Sequence, residues 1–301
     1  MHSPVTTEVP RRGIVGTVGT MDEVFIGGAE RRENNVTAYQ LTNHHLRLLP
    51  NVYLRAGSTP TAMHRVRAAW RWSRGRGTIA GYSAALLHGS KWIDADQPAE
   101  LIYTNRHRHP GVVVHSDRLR DGDTMTLQGM TVTTVARTIL DLACWYPRDE
   151  AVKAIDALLQ ATKTTPAAAL VLAGQSPRRR RIAEARRTLA LVDGGAQSPR
   201  ETWLRLALGR MGFPPLQTQI PVYDEYDEYV YAYLDMGWPQ WKIAIEYDGD
   251  HHRTNRGQFR TDRRRIARLE HDGWIVIRVT SDDSESTIAG WVNEALAKRR
   301  S

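Results

Sequence analysis

The chain has 301 residues, room for two or three domains with buried cores. Apolar residues make up 41 % and charged residues 25 %, a globular balance, and no apolar run is long enough for a membrane span. Lys+Arg is 41 against Asp+Glu 33, a net +8, with a pI near 9.8. That excess points to a polyanionic partner, most simply DNA; the other reading is an arginine-biased composition with no such partner. The single cysteine, Cys144, excludes an internal disulfide and a Cys-cluster zinc site. With no secretory signal legible near Arg11 and Arg12, a cytoplasmic location is expected.

Residues 1–21 are rich in Gly and Thr and read as a disordered tail. Residues 22–77 read as a DNA-binding head. Met21–Ile26 opens a short helix, Thr37 caps a second helix over Ala38–Leu46, and Leu48–Leu54 makes a ribbon around Pro50-Asn51. Helix, turn, helix, ribbon is the order of a winged helix, whose second helix enters the major groove. Gln40 and Asn43 are then the groove-facing amides, and Arg47 and Arg55 the phosphate contacts. The competing reading is a small helical cap with a solvated basic surface.

Residues 78–172 read as a small α/β domain. A helix over Gly77–His88 stops at Gly89, Pro98–Thr104 and Gly111–Ser116 are strands, and Thr131–Thr134 leads into an apolar helix over Val135–Trp145. Asp149–Ala161 is a further helix, with Val152, Ile155, Leu158 and Leu159 at 3.6 spacing. His107 and His109 belong to a solvated loop. Val36-Thr-Ala-Tyr-Gln-Leu41, Leu49-Pro-Asn-Val-Tyr53 and Val132–Leu142 resemble the AbiEi-type antitoxin family, over about residues 22–165. The resemblance implies a winged-helix head on a small α/β domain, and a cognate toxin protein as a partner. Asn51 stands where that family is expected to favour Gly.

Residues 173–197 read as a basic linker or helix. Arg178–Arg181, Arg186 and Arg187 set six positive charges against Glu184. Such a run is a solvated helix face or a phosphate-tracking surface.

Residues 198–301 carry the chemistry. Ser198, Pro199 and Glu201 read as N-cap, first turn and the acid of a capping box. The helix reaches Met211, and a strand follows near Gln217–Val222. Residues 223–235 hold five acids and five tyrosines with no base. Val230–Asp235 and Trp241–Asp248 are paired strands across Gly237-Trp-Pro-Gln240. Period-2 geometry puts Glu246 and Asp248 on one strand face, and Asp235 arrives beside them. Unpaired carboxylates resist burial, so a hard divalent cation, Mg²⁺ or Mn²⁺, is the expected neutraliser; the other reading is an acidic cluster satisfied by the arginines of 253–268. A helix over about Gln258–His271 puts Asp262 on its buried stripe amid many arginines. Trp274–Val279 is a buried strand, and Ser284–Arg299 the last helix.

Asp235-x₁₀-Glu246-x-Asp248 in this helix, hairpin, helix, strand, helix order resembles the PD-(D/E)XK nuclease superfamily. Ile243–Arg253, Asp262–Arg265 and Gly273–Arg278 bring it nearer to the very-short-patch-repair-like branch. The resemblance implies a restriction-endonuclease-like three-layer α/β/α domain within a mixed α/β chain. It makes Asp235 and Glu246 metal ligands, Glu201 the helix acid beside them and His252 the catalytic histidine, with Asp248 where the superfamily places lysine. Arg253, Arg256, Arg260 and Arg264 would hold the DNA backbone. The leading expectation is metal-assisted phosphodiester hydrolysis by a DNA endonuclease. The other is a DNA-binding regulator or antitoxin that keeps a degenerate nuclease fold.

Overall fold

The computed structural model describes residues 23–105, 109–224, 229–249 and 256–300. The expected tail, His107, His252 and Arg253 lie outside this set. The head starts with a strand, β1 (Val24–Ile26), rather than a helix. β-Branched and aromatic residues suit a pleated, half-buried surface, and Val24 and Phe25 are buried. Helices α1 (Gly27–Arg32) and α2 (Ala38–Asn43) follow. The second ends three residues earlier than expected, because Leu46 already belongs to β2 (Leu46–Leu49). The turn into β3 (Val52–Leu54) puts Asn51 at φ 61°. Asn tolerates this left-handed backbone, and its Oδ1 accepts the Gly28 N–H at 2.8 Å. Asn51 therefore does what a glycine would, and ties the ribbon to α1 as well. The sheet order is β1-β3-β2.

Helix α3 (Ala62–Trp72), not among the expected elements, is capped by Thr61. It leads into β4 (Thr78–Ile79) and α4 (Gly81–Leu87), so the expected helix from Gly77 begins as a strand. Strands β5 (Ala99–Ile102), β6 (Val112–His115), β7 (Thr124–Leu127) and β8 (Met130–Thr133) complete a sheet of order β6-β5-β4-β8-β7. One core runs from Val24 and Leu54 of the head through Val66 to Ile79, Leu101 and Val132 of this sheet.

A helical layer comes next: α5 (Val135–Trp145), α6 (Arg148–Thr162), α7 (Ala167–Gly174) and α8 (Ile182–Leu189). Helix α8 lies in the segment expected as a basic linker or helix. It buries Ile182, Ala185 and Leu189 in the core of this layer and leaves Arg186 and Arg187 exposed.

The C-terminal region runs α9 (Pro199–Arg210), β9 (Gln217–Tyr223), β10 (Val230–Trp238), β11 (Ile243–Tyr247), α10 (Arg256–His271), β12 (Ile275–Val279) and α11 (Glu285–Arg300). Strands β9, β10 and β11 form an antiparallel meander, and β12 lies parallel to β11. A parallel return needs a crossover, which α10 supplies. Leu204 and Leu208 of α9 and Ile288 and Val292 of α11 pack with Ile243 and Ile245, while Leu269 of α10 packs with Leu234 and Ala244. The chain is thus a mixed α/β protein. The hairpin closes at Gly237, where a Cβ would stand 2.1 Å from the Ile243 carbonyl oxygen. Among the described residues no helix is long and apolar enough to cross a membrane.

Candidate active site

Helix α9 places the first acid. Ser198 Oγ accepts the Glu201 N–H at 3.2 Å, the expected N-cap. The reciprocal half of the capping box is different: the Glu201 carboxylate accepts the Gln197 N–H at 2.7 Å, one residue before the cap. Burial pushes the Glu201 carboxyl up, against the pull of its Gln197 and Ser198 partners. The helix is held from below by Asp156 of α6, which accepts from Arg205 Nη2 at 2.7 Å, Thr202 Oγ1 at 3.0 Å and the Asp193 N–H at 2.7 Å.

Strands β10 and β11 place the next two. Their ladder ends at Met236↔Ile245, and one step further the same register sets Asp235 opposite Glu246. There the Asp235 side chain replaces the backbone pairing: its Oδ2 accepts the Tyr247 N–H at 2.9 Å. Burial, then the charges of Glu201 and Glu246, push the Asp235 carboxyl up to about 7; Tyr247 and Arg265 only partly offset this. Among the described residues neither Asp235 nor Glu201 has an arginine or lysine partner.

Glu246 is buried, but it is paired. Arg265 of α10 donates to both its oxygens, at 2.7 and 2.8 Å, and to Asp262 at 3.1 Å. This fork-to-carboxylate geometry is the strong form of the contact. Asp248 pairs with Arg278 of β12, at 2.6 Å, and Arg278 also reaches Asp262 at 3.3 Å. Expected to share one cation, Glu246 and Asp248 instead hold separate guanidiniums, with half-buried Asp262 bridging them. The acids whose charges act on Asp235 are Glu201 and Glu246. Among the described residues these acids are not drawn into a preformed three-ligand cage. The donor chemistry nonetheless suits a hard cation: Asp235 and Glu201 are oxygen ligands short of positive charge.

Arg256 and Arg260 belong to α10, with side chains outside the described set, and Arg264 is exposed there. In the head Asn43 is exposed and Gln40 half-buried, and each amide makes a local hydrogen bond. Gln40 Oε1 accepts the Thr37 N–H at 2.8 Å, completing a capping box, and Asn43 donates to the Tyr39 carbonyl at 2.9 Å. Each amide thus has a local partner, at the cap or within α2, that competes with a base edge for it. Arg55 is held 3.5 Å from Glu30 and lies over the Phe25 ring, so it is not the free phosphate contact expected. Arg47 is exposed. The anchor Asp156 and the clamp of Arg265 escaped the sequence reading. A lone acid on an otherwise apolar helix face was the signal for the first.

The fold and these contacts define a mixed α/β protein whose C-terminal sheet parts around a partly compensated acidic cluster. Two proteins of Mycobacterium tuberculosis, each described as an uncharacterized protein, are similar at 27 % identity over 157 residues, 52 % of this chain and 57 % of theirs. The chain therefore spans little more than half the length of the curated relatives it matches. No family model and no solved structure matches it.

Proposed function

We propose that the chain is a cytoplasmic, Mg²⁺- or Mn²⁺-dependent DNA endonuclease of PD-(D/E)XK type, with its N-terminal region serving DNA binding. The observation that carries this reading is Asp235. It is a carboxylate at the point where β10 and β11 part, flanked by Glu201 and Glu246, and its proton affinity is raised by burial and by those acids. Protein interiors do not tolerate uncompensated carboxylates without a reason, and such groups gather at functional sites. Asp235, Glu201 and Glu246 would hold the metal, which when bound polarises a phosphoryl oxygen and acidifies water. The chain's own residues do the rest. The Tyr247 N–H fixes the Asp235 carboxylate, the cap at Ser198 fixes Glu201, and exposed Arg264 and Arg263 on α10 are available to phosphates. His252 is the proposed proton acceptor.

One observation favours the second reading, a DNA-binding regulator or antitoxin with a degenerate nuclease fold and a toxin partner: both oxygens of Glu246 are occupied by Arg265. Purified protein with supercoiled plasmid and Mg²⁺ or Mn²⁺ decides between them. The nuclease reading expects metal-dependent nicking that Asp235→Asn abolishes without loss of DNA binding. DNA binding with no nicking in either metal leaves the regulator.

A further inference from the structure

A cavity of about 770 Å³ opens beside α5, between the loop that follows β6 and the segment joining α7 to α8. Six arginines line it: Arg118, Arg120, Arg137, Arg178, Arg179 and Arg180. Two of them form its floor and are already neutralised. Arg137 is buried and pairs with Asp123 at 2.7 Å and Asp141 at 2.7 Å. Arg179 pairs with Asp141 at 2.6 Å and Asp117 at 2.9 Å. The same contacts fix the walls, since Arg137 Nη1 also donates to the Arg118 carbonyl at 3.0 Å. The floor keeps a spare donor: Arg179 Nε is buried without a hydrogen-bond partner.

The other four, Arg118, Arg120, Arg178 and Arg180, are exposed, and none has an ion-pair partner among the described residues. The Arg120 guanidinium donates to the neutral Gln175 carbonyl, while its backbone N–H donates to Asp123. Four uncompensated guanidiniums around one concavity repel each other, and an anion of two or more charges relieves that repulsion. The guanidinium fork matches phosphate oxygens two at a time. A cavity of this size exceeds what one phosphate fills and falls in the range of small-molecule sites. Asp117 and Asp123, the floor's partners, and Ser176 also line it, and Leu140, Leu172 and Pro177 add an apolar part suited to a sugar or base.

We propose that this pocket binds a small molecule carrying adjacent phosphates, of the nucleoside di- or triphosphate class. The concave shape and apolar wall favour a compact ligand over the convex backbone of duplex DNA. The site is separate from the acidic cluster and does not depend on the nuclease reading. Titration calorimetry of the full chain in chelator, with pyrophosphate, ADP, orthophosphate and a short DNA duplex in turn, tests it. Pyrophosphate and ADP should bind at least about tenfold more tightly than orthophosphate. The double variant Arg178→Gln/Arg180→Gln should weaken both by about tenfold or more at unchanged Tm, since the two side chains are exposed. The proposal is overturned if neither ligand binds, if the double variant binds them equally well, or if it weakens duplex DNA alone.

Discussion

Asp235→Asn should make the metal-free protein more stable, and increasingly so as pH rises. A carboxyl that titrates near 7 in the folded chain and near 3.8 in the unfolded one works against folding once it must ionise. The sign follows from the direction of the shift. Its penalty is absent below the unfolded value, grows as pH rises from 3.8 to about 7, and is constant above that. Complete burial would put the plateau at about 4 kcal/mol. Asp235 is only half-buried, so about 2 kcal/mol is the working figure, equivalent to roughly 3 °C for a chain of this size. Asn keeps an acceptor for the Tyr247 N–H and removes the charge. Denaturant melts of both proteins in chelator, from pH 5 to pH 8.5, read the difference directly. Excess Mg²⁺ or Mn²⁺ should then stabilise the parent and not the variant. An advantage that stays flat with pH, or a variant less stable at pH 8.5, refutes the placement of Asp235 among uncompensated acids.

Arg265→Ala strands the buried Glu246 carboxylate and should cost about 2–4 kcal/mol in a denaturant melt; adding Glu246→Gln should recover part of it, because the loss comes from the orphaned charge. Asp156→Ala removes three hydrogen bonds joining α6 to the segment around α9 and should lower stability by about 2–4 kcal/mol, with faster amide exchange in α9 as the local readout. Gln40→Ala should cost about 1 kcal/mol of stability through its cap and leave the sequence preference of DNA binding unchanged; a relaxed preference in a binding-site selection would restore the amide to the groove.

The strand reading worked where side-chain period decides the outcome. Ile243 and Ile245 pack together in one core, while Glu246 turns to α10, as alternation requires. That arginines were at hand to neutralise the acids was legible; which of them do so was not. Arg265 and Arg278 come from elements 19 and 30 residues away from their partners, and one sequence cannot tell which of many arginines folds back. The cap made by Gln40 was missed for the opposite reason. An amide on a helix facing DNA looks like a base reader, but an N–H three residues away is a nearer partner and orders little extra chain. At β1, β-branched and aromatic residues outweighed an acidic start that resembled a helix entry. Helix α8 shows how charge hides a core element: three buried apolar residues sit inside a run dominated by arginine.

The anchoring of α9 by Asp156 has a consequence for how the chain can be divided. Asp156 belongs to α6, yet its donors are Asp193, Thr202 and Arg205. A protein cut anywhere between 163 and 192 would leave the first piece with an ionisable group sealed among apolar helices and no donor to meet it. The second piece would begin with a helix whose seat is missing. During synthesis, α6 must wait for Arg205 to leave the ribosome before its carboxylate is satisfied. The helical layer and the C-terminal sheet are therefore expected to mature together, and exchanging one for a foreign counterpart would require carrying this four-residue junction along.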